Sequence, residues 1–359
     1  MSNPYATDKL TAHPDAIAAL KRGESKLTTV HLMPQNLCNH SCSFCSYRMP
    51  DNKNSQEFNE NDHIPWLRMF DLLDHFEALG VQGVEITGGG EPLAYPHIGE
   101  LVDLLGTGPF SIGLVTNGTL YHKLEEGLRP LGKQLKWVRV SIDAGTPETY
   151  AKMRGAPEEH FTRAWEAVKA INEDRHLFHP EFKLGVGFVV SPGNLAPEEM
   201  NAAVVAAQNH GADNVRFSMA FSDQGLDFFP DRSALFTAQR TARRLETHWH
   251  GVINLLDNRV AEQTSRAQDY RRCPTKDLLC VVEGSGKVYT CCTFTGSKRG
   301  LYGNFMEHPD GFRGLWEENA KRRRDWDARV ECPVACLYRD RNLAMNQLID
   351  DPPLHTEFI

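Results

Sequence analysis

Short apolar runs alternate with helical-period stripes along much of the chain. Thr28–Met33 (TTVHLM) reads as a strand. Ile64, Leu67, Phe70, Leu73, Phe76 and Leu79 recur on one helical face, so Pro65–Leu79 is a helix started by Asp62. The alternation continues with strand Gly83–Thr87, helix His97–Leu105, strand Ser111–Thr116, helix Tyr121–Leu131 and strand Trp137–Ile142. Helices near Pro147–Met153 and Phe161–Asn172, strand Lys183–Val190, helix Pro197–His210 and strand Asn214–Met219 follow. Strands alternating with helices imply an α/β fold with a parallel sheet, and barrel-like members carry chemistry at the C-terminal strand ends. Beyond about residue 225 the pattern changes. Ser233–His248 is a helix, Leu278–Glu283 and Lys287–Cys291 form a hairpin around Gly284-Ser285-Gly286, and Phe312–Ala328 is helical. The expected division is a lead-in over 1–26, a barrel over 27–225 and a smaller α+β unit over 226–359.

A length of 359 residues suits such a pair of units, and 41% hydrophobic with 24% charged residues is ordinary for a globular protein. The net charge of −8 disfavours a nucleic-acid partner. The basic run Lys321–Arg324 is flanked by Glu317, Glu318, Asp325 and Asp327 and reads as a solvated helix face. His248-Trp249-His250 reads as helix-end surface. No run approaches the roughly 20 apolar residues of a membrane span, and Met1–Leu10 lacks a signal-peptide core, so a cytoplasmic location is expected. Thiols stay reduced there, which directs nine cysteines toward metal binding or catalysis.

The cysteines fall in two clusters. Cys38, Cys42 and Cys45 share the loop after the first strand, and the other six lie between Cys273 and Cys336. Three thiolates leave one metal corner open for a ligand. A zinc site with His40 as fourth ligand is the alternative, although His40 sits awkwardly in the same tight loop.

The CxxxCxxC spacing, with Phe44 before the last cysteine, resembles the signature loop of the radical S-adenosylmethionine (SAM) superfamily. The resemblance extends through Gly88-Gly89-Gly90-Glu91-Pro92, Thr116-Asn117-Gly118, Ser141-Ile142-Asp143-Ala144 and Arg154-Gly155. It implies a partial (β/α)6 TIM-like barrel. In it Cys38, Cys42 and Cys45 hold a [4Fe–4S] cluster whose electron cleaves SAM to a 5′-deoxyadenosyl radical. It further implies that Gly88, Gly89, Gly90, Glu91 and Asn117 line the SAM site. Ser141 lies near the ribose or carboxylate, Arg154 pairs the carboxylate, Asp143 is a further cofactor-binding residue, and Phe44 and the backbone after Val190 flank the adenine. The plainer readings are a helix N-cap for Asp143 and a surface ion pair for Arg154.

In the second cluster, Cys273, Gly286 and Cys291 are spaced as CX12GX4C, with Cys332 and Cys336 beyond. This resembles the auxiliary-cluster extension of radical SAM enzymes, called SPASM with two clusters and twitch with one. No cysteine follows Cys336, so the resemblance implies one second [4Fe–4S] cluster held by Cys273, Cys291, Cys332 and Cys336. A four-cysteine zinc site is the alternative. Cys280 and Cys292 are either buried fillers or hydrogen-atom donors.

The implied enzyme abstracts a hydrogen atom from a small polar, sugar- or aminocyclitol-like molecule, with a flavodoxin or ferredoxin as reductant. Two-electron oxidation of an alcohol, as in 2-deoxy-scyllo-inosamine dehydrogenase-like enzymes, is the leading expectation. A redox-neutral epimerase using Cys280 or Cys292, and a peptide-modifying enzyme, are the others. The 37 residues before Cys38 are few for a winged-helix peptide-binding module. An electron-transfer protein has no use for the SAM-contact segments. Tyr47, Arg48 and Arg216 are candidates to face the cavity.

Overall fold

The computed structural model describes residues 7–48, 57–220, 228–264, 268–332 and 336–350. The boundary expected at 225/226 lies outside these residues. Strands β1 (Thr29–Leu32), β2 (Gly83–Ile86), β3 (Ser111–Thr116), β4 (Leu135–Ser141), β5 (Lys183–Val190), β6 (Asn214–Met219) and β7 (Val252–Asn254) run parallel in sequence order. The helices between them are α2 (Trp66–Ala78), α3 (Ile98–Thr107), α4 (Pro147–Arg154), α5 (Glu159–Glu173), α6 (Pro197–Asn209) and α7 (Arg232–His248), after a short α1 (Pro14–Lys21). The remaining elements are α8 (Leu256–Thr264), α9 (Thr275–Leu278), β8 (Leu279–Val282), β9 (Lys287–Tyr289), β10 (Leu301–Asn304), α10 (Gly311–Glu318), α11 (Ala320–Asp325), α12 (Ala328–Glu331) and α13 (Arg339–Asp350). The result is an unclosed α/β sheet, as in a partial barrel.

The C-terminal hairpin forms with Val281 opposite Tyr289, and β8 lies parallel beside β1, Cys280 opposite Val30. The strands among the described residues therefore belong to one 10-stranded sheet ordered β10-β9-β8-β1-β2-β3-β4-β5-β6-β7. The expected helix Tyr121–Leu131 does not form. Two short 3-10 turns replace it, because Gly127 (φ 60°) and Gly132 (φ 47°) turn the chain left-handed around Pro130. The expected helix Phe312–Ala328 breaks at Asn319 into α10 and α11. Nor does Asp62 start α2. Pro65 precedes its first residue, and Asp62 accepts a hydrogen bond from Asn59 (2.8 Å).

Period-2 alternation divides each barrel strand between two faces. Val30, Leu32, Val84, Ile86, Cys280 and Val282 join one apolar core with Leu72, Phe76 and Phe312 from the helices. Each fully buried Leu or Phe there contributes roughly 1.5–3 kcal/mol. The opposite face is the lumen. Met33, Leu279, Val281 and Tyr289 form a separate cluster on it, with Tyr47 and Cys292 packed against them. The lead-in packs through Leu10, Ala16 and Leu20 against Leu278, Met345 and Ile349, tying the two ends of the described chain together.

Candidate active site

The cysteine loop leaves β1 and is pinned to the end of α4. Ser41 N–H donates to the Arg154 carbonyl (2.9 Å) and Ser43 N–H to that of Met153 (3.0 Å). Helix α4 is started by Thr146, whose hydroxyl accepts from Thr149 N–H, and ended by Gly155 at φ 55°. A Cβ on Gly155 would lie 2.7 Å from the Ser41 carbonyl, so the left-handed cap is also where the cysteine loop touches down. Burial, then Glu91, pushes the Cys38 thiol up to about 11, and burial likewise raises Cys45. A thiol so placed ionises when a cation takes the proton's place.

The glycine loop after β2 meets the cysteine loop backbone to backbone. A Cβ on Gly90 would stand 2.2 Å from the Leu37 carbonyl and 2.5 Å from the Asn36 carbonyl carbon. Gly88 and Gly89 are equally crowded, against the Gly90 carbonyl (2.0 Å) and the Phe58 ring (2.2 Å). Glu91 is 2% exposed and braces the strand ends. It accepts from Leu93 N–H (3.0 Å), Asn117 N–H (2.7 Å) and the Thr116 hydroxyl. Burial pushes its carboxyl up, and these donors oppose the shift. Asn117 Nδ2 donates to Asn39 Oδ1 (2.9 Å), and Asn39 Nδ2 to Thr119 Oγ1 (2.9 Å), linking the end of β3 to the cysteine loop.

Asp143, at φ 61°, leaves β4. It does not cap α4, whose cap is Thr146. Its Oδ1 accepts from Val189 N–H (2.7 Å), and its Oδ2 lies 3.0 Å from Arg154 Nη1. Arg154 is 5% exposed, so it is no surface ion pair. It also donates to the Ser141 carbonyl and stands 3.5 Å from Cys42 Sγ. Burial works against the Arg154 charge, and Cys42 and Asp143 hold its pKa well above the ordinary value. Phe44 and Val190 are both buried. His40 is turned away from the loop centre, its Nε2 3.0 Å from His160 Nδ1 and its pKa lowered to about 3 by burial and Arg154.

The lumen wall below this ring is polar. His31 and Glu85 are directly paired in register, Nε2 3.5 Å from Oε2. Arg139, Ser141, Arg216 and Ser218 follow on β4 and β6. Sequence reading named Arg216 among these as a cavity candidate. His31, Glu85 and Arg139 were hidden as alternate residues of parallel strands whose other face is apolar.

Cys273, Cys291, Cys332 and Cys336 all line one pocket, with Tyr270, Lys276, Trp326, Tyr338 and Asn342. Three donors reach its sulfurs: Asn342 Nδ2 to Cys273, Trp326 Nε1 to Cys332 and Tyr270 Oη to Cys336, each 3.4 Å. Asn342, on α13, is oriented by Thr275, whose N–H (3.1 Å) and hydroxyl (2.7 Å) both donate to its Oδ1. Burial raises Cys273 to about 11 and Cys332 to about 12. Cys292 lies on the lumen side, its Sγ 3.5 Å from Tyr338 Oη. The structure does not bring Cys280 to the lumen. That residue is fully buried on the helix-covered face, where burial pushes its thiol up against the pull of Arg323, itself 2% exposed rather than on the solvated helix face expected for its run. Among the described residues no three Cys, His, Asp or Glu side chains are already closed up as metal ligands. The donor sets nonetheless fit iron–sulfur ligation, with three thiols on one loop in the first site and four around one cavity in the second. No helix among the described residues is long and apolar enough to cross a membrane.

Residues 32–180 match the family model of the radical SAM superfamily. A GTP 3′,8-cyclase of Microcystis aeruginosa is 26% identical over 216 residues, covering 59% of this chain and 61% of the relative. An AdoMet-dependent heme synthase of Methanosarcina barkeri is 26% identical over 267 residues, 68% of this chain and 71% of the relative. This chain thus matches about three fifths to seven tenths of those relatives' lengths. Among solved structures, Streptococcus suis SuiB bound to precursor peptide SuiA superposes with TM-score 0.60 at 16% identity, covering 88% of this chain and 70% of SuiB. Native anSMEcpe with bound AdoMet gives 0.56 at 15% identity, covering 90% and 97%. These two likenesses are of fold. Residues 32–180 thus resemble the radical SAM superfamily, and the fold over most of the chain is like that of an AdoMet-bound structure.

Proposed function

We propose that this enzyme removes a hydrogen atom from a small polar, alcohol-bearing substrate in the lumen and oxidises it to a carbonyl, a second cluster taking the remaining electron. The observation that carries the reading is the convergence of Cys273, Cys291, Cys332 and Cys336 on one pocket, three of their sulfurs already meeting hydrogen-bond donors. Cys38, Cys42 and Cys45 would hold the first cluster, which with SAM supplies the 5′-deoxyadenosyl radical. Around it, the Glu91 brace and the Asp143–Arg154 pair fix the loops that meet SAM, with Gly88, Gly89, Gly90, Asn117, Ser141, Phe44 and Val190 lining its site.

The oxidation balances on named groups. A radical supplied by SAM would take one hydrogen atom from the carbinol carbon, and a cluster held by Cys273, Cys291, Cys332 and Cys336 would take the remaining electron. The hydroxyl proton goes to the His31–Glu85 pair in the lumen wall. A flavodoxin or ferredoxin primes the first cluster.

A redox-neutral reading has its own support. Cys292 is on the lumen side, its Sγ 3.5 Å from Tyr338 Oη, which supports a thiol that returns hydrogen to a substrate radical. Cys280, behind the sheet, has no such position. Incubating reconstituted enzyme with SAM, dithionite and a panel of sugar and aminocyclitol alcohols in D2O separates the two. Substrate-stimulated 5′-deoxyadenosine with a carbonyl product free of solvent deuterium supports oxidation. Deuterium retained at carbon in the product, abolished by Cys292→Ala, supports epimerisation. No stimulation by any alcohol defeats both.

A further inference from the structure

The parallel register sets Arg139 between Val115 on β3 and Gly185 on β5. A Cβ on Gly187 would meet Arg139 Cδ at 3.5 Å and Cγ at 3.6 Å, so the shaft of Arg139 runs over Gly187. Gly187 is itself paired with Ser141 on one side and Arg216 on the other. Glycine there keeps the wall low enough for an arginine to lie across it. The Arg139 guanidinium ends over the Trp137 ring, 5.5 Å from its centroid. Trp137 in turn lies flat against Gly113, where any Cβ would stand 2.3 Å from the indole.

The cation has no acid of its own among the described residues. Asp143, whose carboxyl burial pushes up against the pull of Arg154, Arg216 and Arg139, is held by Arg154 at 3.0 Å and Val189 N–H at 2.7 Å. Glu85 is engaged with His31. A half-buried guanidinium without a carboxylate is unfavourable unless something else supplies the negative charge. Arginine's planar fork matches a carboxylate or a phosphate, and a tryptophan face holds it in one orientation.

We propose that Arg139, backed by Trp137, anchors an anionic group of the substrate, a carboxylate or a phosphate, with Arg216 on the far side of Gly187 closing the subsite. This deepens the reading above, on which the lumen holds the substrate. Its polar alcohol is then part of an acid or a phosphate ester. The anchored end sits below the SAM-facing rim, so it sets which carbon is presented to the radical.

The test is isothermal titration of the anaerobically reconstituted, SAM-loaded enzyme with inorganic phosphate and, separately, malonate. Wild type is expected to bind one or both, and preference for one identifies the group. Arg139→Gln is expected to weaken that binding about tenfold or more, the loss of a charge-assisted pair, and Arg139→Lys to recover part of it. SAM affinity, measured in parallel, should stay within about twofold, the scatter of a site that has lost no hydrogen bond. The proposal is overturned if wild type binds neither anion or if Arg139→Gln binds them equally. It is also overturned if SAM affinity falls in step, which would put Arg139 on the SAM carboxylate. Failure of the wild type to cleave SAM would instead defeat the function proposed above, and the anion titration would still be read.

Discussion

Arg154 Nη1 lies 3.0 Å from Asp143 Oδ2, with the two side chains only 7% and 1% exposed. The pair joins the end of α4 to the end of β4, and the same guanidinium reaches Cys42. Its worth is positional, since two charges taken out of water gain little net stability from each other. Removing one partner is different, because it leaves the other buried and uncompensated. Asp143→Asn or Arg154→Gln should each lower stability by about 3 kcal/mol, and the double variant should cost less than the sum. Urea denaturation of the three variants measures this, and additive losses would contradict it.

Iron analysis separates the two cysteine sets. After anaerobic reconstitution the wild type should carry about eight irons per chain, with about four left in the Cys38/Cys42/Cys45→Ala variant. The Cys273/Cys291/Cys332/Cys336→Ala variant should likewise keep about four, all at the SAM site. About four in the wild type, with zinc in the C-terminal pocket, would remove the electron acceptor and leave the redox-neutral reaction.

Gly90→Ala should imitate the triple cysteine variant without touching a ligand. Its Cβ has no room beside the Leu37 and Asn36 backbone, so the glycine loop and the cysteine loop must part. Iron should fall toward about four per chain with the C-terminal set filled. Retention of about eight would show that the loops tolerate the separation.

Strands β3, β5 and β6 were legible residue for residue, β3 and β5 as mostly apolar runs and β6 as an alternation of Val215, Phe217 and Met219 with polar residues, each between turn residues. Tyr121–Leu131 misled because its apolar spacing is helical while Gly127 and Gly132 dictate turns. The gathering of Cys273, Cys291, Cys332 and Cys336 about one pocket agrees with the set that the family resemblance implies. The donors to their sulfurs were not legible. Asn342 is separated from Cys273 by 69 residues and sits on a helix the hydrophobic pattern did not announce. The His31–Glu85 pair and the position of Arg139 exist only once strand register is fixed. The placement of Cys280 behind the sheet and Cys292 before it likewise follows from the pairing of β8 with β1.

Trp326→Phe offers a spectroscopic check on the second pocket. It keeps the ring against Phe294 and deletes the N–H that meets Cys332. Hydrogen bonds to ligand sulfur favour the reduced, more negative cluster, so the variant's auxiliary cluster should have a lower reduction potential in an EPR-monitored titration. The first cluster's potential should stay put. Equal shifts in both, or none, would dissociate the indole from that sulfur's electronics.

The pairing of β8 with β1 bears on how the chain is made. Thr29 and Leu279 are register partners 250 residues apart, whereas the other side of β1 is covered by β2 once Gly83 is reached. On the ribosome, β1 through β6 can assemble while one flank of β1 still shows bare amides and carbonyls. Such an edge invites pairing with another chain. A fragment ending near residue 220 should therefore aggregate although β1 to β6 are all present. High contact order makes docking of the last strand a late folding event. The loop Cys38–Cys45 grows from β1, the strand that β8 completes, so filling of its proposed cluster would await the finished polypeptide.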